Sequence, residues 1–132
     1  MKDFYHIIIP RKKMTRKQLS NLIANEMMGY TAREFVELLE IKKAASKKFG
    51  ISVTELVSAN RSRKYTFPRF ICYWVSRNLS GASLPQIGRH YGNRDHTSIA
   101  KGANKVDQVW PEHYPEWYTK AVKFQKEMEK RL

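Results

Sequence analysis

The sequence predicts an all-α protein, a compact helical bundle with a helix-turn-helix, a short N-terminal extended arm and an added C-terminal helix. Three observations carry this. Capping signatures, a Ser or Thr followed three residues later by Glu or Gln, return at Thr15, Thr31, Ser52 and Ser83. Apolar residues recur at three- and four-residue intervals between them. The stretch from Ser83 through Leu84, Ile87 and Tyr91 to Gly92-Asn93, and then from Asp95 to Ile99, reads as two helices joined by a tight turn.

Residues 1–14 favour extended structure through Phe4, Tyr5 and His6-Ile7-Ile8-Ile9, until Pro10 ends the run. The cations Arg11, Lys12, Lys13, Arg16 and Lys17 fit either an arm lying on a phosphate backbone or a poorly ordered terminus. A helix is expected after Thr15, with Leu19, Leu22, Ile23 and Met27 on one face and Gly29 as its stop. Thr31 opens a longer helix whose apolar stripe is Phe35, Leu38, Leu39, Ile41, Ala44, Ala45 and Phe49, closed by Gly50. Lys42, Lys43, Lys47 and Lys48 lie in its last turns, where they suit the helix dipole and solvent, with phosphate contact as the alternative. Ser52 starts a short helix through Leu56 and Val57.

Residues 59–65 are polar and basic without an apolar period, so a loop is expected there. Thr66 is the expected cap of the next helix, with Pro68 in its first turn, Phe70, Ile71, Trp74, Val75 and Leu79 inward, and Gly81 as its end. In the helix-turn-helix, Pro85 is harmless in a first turn, Gly92-Asn93 tolerates positive φ, and Asp95 caps a second helix with Ile99, Ala103 and Val106 inward. His96, Thr97 and Ser98 face outward on that helix, the one such motifs lay in the major groove. Beyond Asp107, an aromatic connector (Trp110, Tyr114, Trp117, Tyr118) leads to a helix over about residues 116–131 with Ala121, Phe124 and Met128 as apolar positions. The aromatics read as packing, with a base-stacking platform or a protein-binding patch as the alternatives. The chain thus divides into an arm and helix (1–30), a core domain (31–108) and a connector with its helix (109–132).

At 132 residues and 42% hydrophobic the chain suits one domain with a core. No apolar run approaches a membrane span and no secretory pattern opens the chain, so no membrane partner is expected. Cys72 is the only cysteine, which excludes an internal disulfide, suits a reducing cytoplasm and reads as a small buried hydrophobe. The net charge of +13 calls for a polyanionic partner unless it is merely a solvated basic surface. No Gly-x-x-x-x-Gly-Lys-Ser/Thr loop is present, and His6, His90, His96 and His113 are scattered. No enzymatic activity, cofactor or metal is therefore expected.

The run Ser83-Leu84-Pro85-Gln86-Ile87-Gly88, followed by Arg94-Asp95-His96-Thr97-Ser98-Ile99, resembles the C-terminal DNA-binding domain of the DnaA family of bacterial chromosomal replication initiators. The upstream run Arg61-Ser62-Arg63-Lys64-Tyr65-Thr66-Phe67-Pro68-Arg69 resembles the basic loop and following helix start of that domain, and the resemblance covers roughly residues 31–107. It implies that Arg61 enters a minor groove, where narrowing at A·T-rich sequence concentrates negative potential. It implies that Asp95, His96, Thr97 and Ser98 form the major-groove reading turn, with Arg94 next to them as a DNA-binding candidate, and that Leu84 and Pro85 approach thymine methyls. Arg63, Lys64, Arg69, Lys101 and Lys105 are the candidate phosphate anchors. Asp95 also has a plain role as a cap, and Leu84 also fits the apolar face.

Departures from the family pattern are Asn93 for glycine, Ser98 for threonine, Phe70 for a polar phosphate contact, and Ala59-Asn60 for basic residues. They leave the docking mode intact and the box sequence open. The expected function is sequence-specific recognition of duplex DNA at a site like a DnaA box, regulating replication initiation or transcription from the nucleoid in the cytoplasm. Replication proteins, or a second copy bound through the terminal additions, are candidate partners. The alternative is an adaptor for replication factors with secondary DNA contact.

Overall fold

Backbone N–H groups at a helix start need acceptors, and short polar side chains supply them here. In the computed structural model, which describes residues 31–132, Thr31 caps α1 (Ala32–Phe49): Glu34 N donates to Thr31 Oγ1 at 3.0 Å, and Thr31 N donates to the Glu34 carboxylate at 3.1 Å. Ser52 and Glu55 make the same reciprocal pair at α2 (Val53–Leu56), and Ser83 and Gln86 at α4 (Leu84–His90). Gly50 ends α1 in the left-handed region, φ 69°, with its N–H on Ser46 O. The arm at residues 4–9 and the helix expected after Thr15 lie outside the described residues.

α3 (Arg63–Leu79) corrects one expectation. Its cap is Ser62, not Thr66, so the helix starts a turn early and Arg63 and Lys64 stand on its first turn rather than in a loop. Tyr65 N and Thr66 N both donate to Ser62 O at 2.9 Å, which closes that turn ahead of Pro68. Pro68 is therefore interior to the helix. Ser80, in an extended conformation, caps its other end in place of Gly81.

The remaining helices are α5 (His96–Gln108), α6 (Trp110–His113) and α7 (Pro115–Arg131), so the described residues form seven helices and no strands. One apolar core receives Leu38, Ile41 and Ala45 of α1, Ile71 and Val75 of α3, Ile87 of α4, and Ile99, Ala103 and Val106 of α5. α3 and α5 approach closely because Gly102 has no side chain: a Cβ there would stand 2.7 Å from the Phe70 ring and 2.8 Å from the Tyr73 ring. Asp107 fixes their crossing by accepting from Trp74 Nε1 at 2.7 Å and Arg77 Nη2 at 2.6 Å. Asn104 accepts from the same guanidinium at 2.9 Å.

The C-terminal aromatics pack, as expected. Phe67 stacks on Trp110 at 4.7 Å between centroids and meets Trp117 edge-on at 5.3 Å, while Phe49 meets Phe124 at 5.8 Å. Ala121, Phe124 and Met128 join the same core, and the ion pairs Lys48–Glu127 (2.9 Å) and Glu40–Arg131 (3.4 Å) tie α7 to α1. Cys72 is buried, and burial pushes its thiol up to about 12, far from a reactive thiolate. No described helix is long and apolar enough to cross a membrane.

Candidate nucleic-acid interface

The turn between α4 and α5 is built from backbone first. Gly92 (φ 89°) and Asn93 (φ 57°) both take positive φ, and asparagine tolerates that region better than most residues carrying a side chain. The chain then folds back so closely that a Cβ on Gly88 would stand 2.0 Å from the Arg94 carbonyl oxygen. Arg94 N donates to Gly88 O at 2.8 Å. Lys42 reaches in from α1 and donates to His90 O at 3.1 Å, giving a part-buried carbonyl at the end of α4 its partner. Its partial burial holds the Lys42 ammonium below its ordinary pKa.

Asp95 then caps α5. Its carboxylate accepts from Thr97 Oγ1 and, at 3.1 Å, from Thr97 N, and these bonds hold its pKa below the ordinary carboxylate range. His96 Nδ1 lies 3.5 Å from the other carboxylate oxygen, with the imidazole side chain 57% exposed. Thr97 and Ser98 are exposed beside it, as are Lys101 and Lys105 further along the helix. The first turn of α5 therefore presents short polar groups outward while Ile99 enters the core. Pro85, Arg89, Asn93 and Arg94 border the same hollow as Asp95 and His96. Leu84 is half-buried and packs against the core.

The basic residues divide by their surroundings. Arg61 is exposed and has no hydrogen-bond or ion-pair partner among the described residues; Lys101 is likewise exposed. Arg69 is only 3% exposed: its Nε donates to Leu56 O at 2.7 Å and its Nη1 to Asn60 O at 3.1 Å. Arg94 donates through Nε to Tyr91 O at 3.2 Å, and through Nη2 to Ser58 O and, at 3.4 Å, to Val57 O. These two arginines, expected among the outward contacts, brace the loop that carries Arg61. Asn60 adds a local bond, its Oδ1 accepting from Ser62 N at 2.8 Å. Aromatic rings seat three further cations: Tyr65 under Lys64 (5.6 Å), Phe70 under Lys105 (5.3 Å), and Phe67 with Tyr114 at Arg63. Arg61, Arg63, Arg94 and Lys105 line one hollow with Thr66 and Phe70.

Sequence reasoning missed four residues of this site. Gly88 was visible only as a letter of the motif, since the close approach of Arg94 is not written in its neighbours. Lys42, Asn60 and Tyr114 act through contacts with chain segments whose positions only the fold supplies. Among the described residues, no group of three or more His, Cys, Asp or Glu side chains is placed to hold a metal.

Two helices crossing at a tight turn, the second opening on an exposed polar turn, define a helix-turn-helix module. A family model described as the bacterial dnaA protein helix-turn-helix matches residues 38–106. Over 105 residues the chain is 32% identical to the chromosomal replication initiator protein DnaA of Lachnoclostridium phytofermentans, covering 76% of this chain and 23% of that protein. It is 29% identical over 100 residues to that of Treponema denticola (76% and 21%) and 29% over 104 residues to that of Gluconobacter oxydans (79% and 21%). The chain belongs to the bacterial DnaA helix-turn-helix family, a family of DNA-binding rather than catalytic domains. It spans about a fifth of the length of these curated relatives.

Proposed function

We propose that the protein binds duplex DNA at a site like a DnaA box and regulates replication initiation or transcription. The observation that carries this reading is the exposed first turn of α5, Asp95 to Ser98, set beside a basic loop braced from within by Arg69 and Arg94. His96, Thr97 and Ser98 offer groups of the size that reads base edges, and the Thr97 methyl suits a thymine methyl. Asp95 accepts from a cytosine amine in the same groove while it caps the helix. Leu84 and Pro85 approach thymine methyls from α4.

Arg63, Lys64, Lys101 and Lys105 anchor phosphates, and Arg61, exposed on a loop that is itself braced, enters the adjacent minor groove. Arg69 and Arg94 contribute chiefly by holding that loop, Arg69 through Asn60 O and Arg94 through Ser58 O and Val57 O. The reading places the protein on the nucleoid, in the cytoplasm, and leaves replication proteins or a second copy as partners of the terminal segments. Selection of binding sites from random duplex DNA at a stated salt concentration tests it. The expected outcome is enrichment of one short motif containing an A·T-rich step beside a cytosine or thymine contact. Recovery of unenriched sequence would remove sequence-specific recognition.

A further inference from the structure

Arg63 is held by Phe67, one turn along α3, and by Tyr114, 51 residues further on. Its Nη2 donates to the Tyr114 hydroxyl at 3.1 Å, and its guanidinium carbon lies 5.0 Å from the Tyr114 ring centroid and 5.3 Å from that of Phe67. The two rings meet edge to face at 5.1 Å. They are themselves fixed, because Phe67 is buried against Trp110 and Trp117. Tyr114 lies beyond residue 106, where the family match ends, between α6 and α7. Arg63 itself is exposed, so its guanidinium reaches solvent from a seat that restricts it.

We propose that Tyr114 is a positioning residue for DNA contact: it aims Arg63 at a phosphate, and through it the C-terminal segment sets affinity. The proposal rests on the reading of the α5 face and the basic loop as a DNA interface. A long arginine loses rotamer freedom when it contacts a phosphate, and an arginine already seated between two rings loses less. The phenol oxygen takes one guanidinium N–H and leaves the others to a phosphate. Removal of that oxygen therefore weakens binding through Arg63 and through no other residue.

A double-mutant cycle on the full chain tests this, with Tyr114→Phe, Arg63→Ala and the pair, read as duplex affinity across salt. Tyr114→Phe keeps the ring, so its thermal midpoint should stay at the parent value. With Arg63 present it should weaken binding about three- to tenfold, within the lower part of the range for groups in one network. Combined with Arg63→Ala it should change nothing further, and Arg63→Ala alone should make the salt slope shallower by about one unit. Arg63→Lys, which keeps the charge and loses the planar fork, should fall with Tyr114→Phe. Equal losses from Tyr114→Phe with and without Arg63, or no loss with Arg63 present, would overturn the proposal alone. Absence of duplex binding by the parent chain would overturn it together with the reading it rests on.

Discussion

Arg69 sits in the middle of a basic run, yet its side chain points into the fold and spends Nε and Nη1 on Leu56 O and Asn60 O. Replacement by methionine keeps an apolar stem and leaves both carbonyls without these donors. The loss of partners for part-buried acceptors costs about 1–3 kcal/mol. Arg69→Met should therefore lower stability in urea unfolding and also weaken duplex binding, because the Arg61 loop loses its brace; unchanged stability would contradict the bracing role. A second residue-scale effect concerns pH. Burial, with Lys42 adding like charge, pushes His90 down to about 3, below an unfolded value of about 6.5. The unfolded chain then takes up a proton that the native state refuses, so this contribution to stability is lost as pH falls from about 6.5 toward about 3. Thermal midpoints measured from pH 7 to pH 4.5 should fall less steeply for His90→Gln than for the parent, and parallel curves would remove the effect.

At the scale of elements, what could be read in advance was what is local. The three described capping boxes, the Gly50 stop and the Gly92-Asn93 turn are set by residues within about one turn of each other, and the structure places all of them where the spacing puts them. The start of α3 was not legible in the same way. Ser62 and Thr66 are both competent caps, and only the closure of the turn ahead of Pro68 decides for Ser62. The direction of Arg69 and the pairing of Arg63 with Tyr114 depend on contacts 13 and 51 residues apart, which no periodicity encodes. α7 belongs to the core as well, through Phe124, Met128 and the half-buried Trp117. Trp117→Ala should lower stability by the lower end of about 3–5 kcal/mol, since the indole is not wholly enclosed. DNA affinity of the folded variant should fall no further than it does for Tyr114→Phe, since Trp117 meets the Arg63 seat through Phe67. An unchanged melting temperature with lost binding would place Trp117 on a contact surface instead.

Across the whole molecule the net charge is +13, and among the described residues acidic groups such as Asp107 on Arg77 and Glu127 on Lys48 are paired internally. The phosphates of a duplex would offset the self-repulsion of that charge, and the duplex's condensed counterions would be released as they do so. With about five to eight phosphates contacted, the log–log dependence of affinity on salt should have a slope of roughly −4 to −7. A titration giving a slope near zero would contradict an electrostatically anchored interface. The helical class and the helix-turn-helix were legible from composition, caps and spacing together. The different surroundings of the arginines were not, because one residue type is a buried brace at Arg69, a ring-seated cation at Arg63 or an exposed side chain at Arg61 according to what the fold puts next to it.

The most direct measurement compares selective with nonselective binding. His96→Ala and Thr97→Ala, each verified as folded by circular dichroism, are assayed beside Lys64→Ala on the selected site and on random duplex. A base-edge contact discriminates by about 1–3 kcal/mol, whereas a phosphate contact is blind to sequence. The two α5 variants should lose affinity for the selected site far more than for random duplex. Lys64→Ala should weaken both by similar factors and make the salt slope shallower by about one unit. If His96→Ala and Thr97→Ala leave the ratio of selected to random binding unchanged, the first turn of α5 does not read sequence, and the interface lies elsewhere on the bundle.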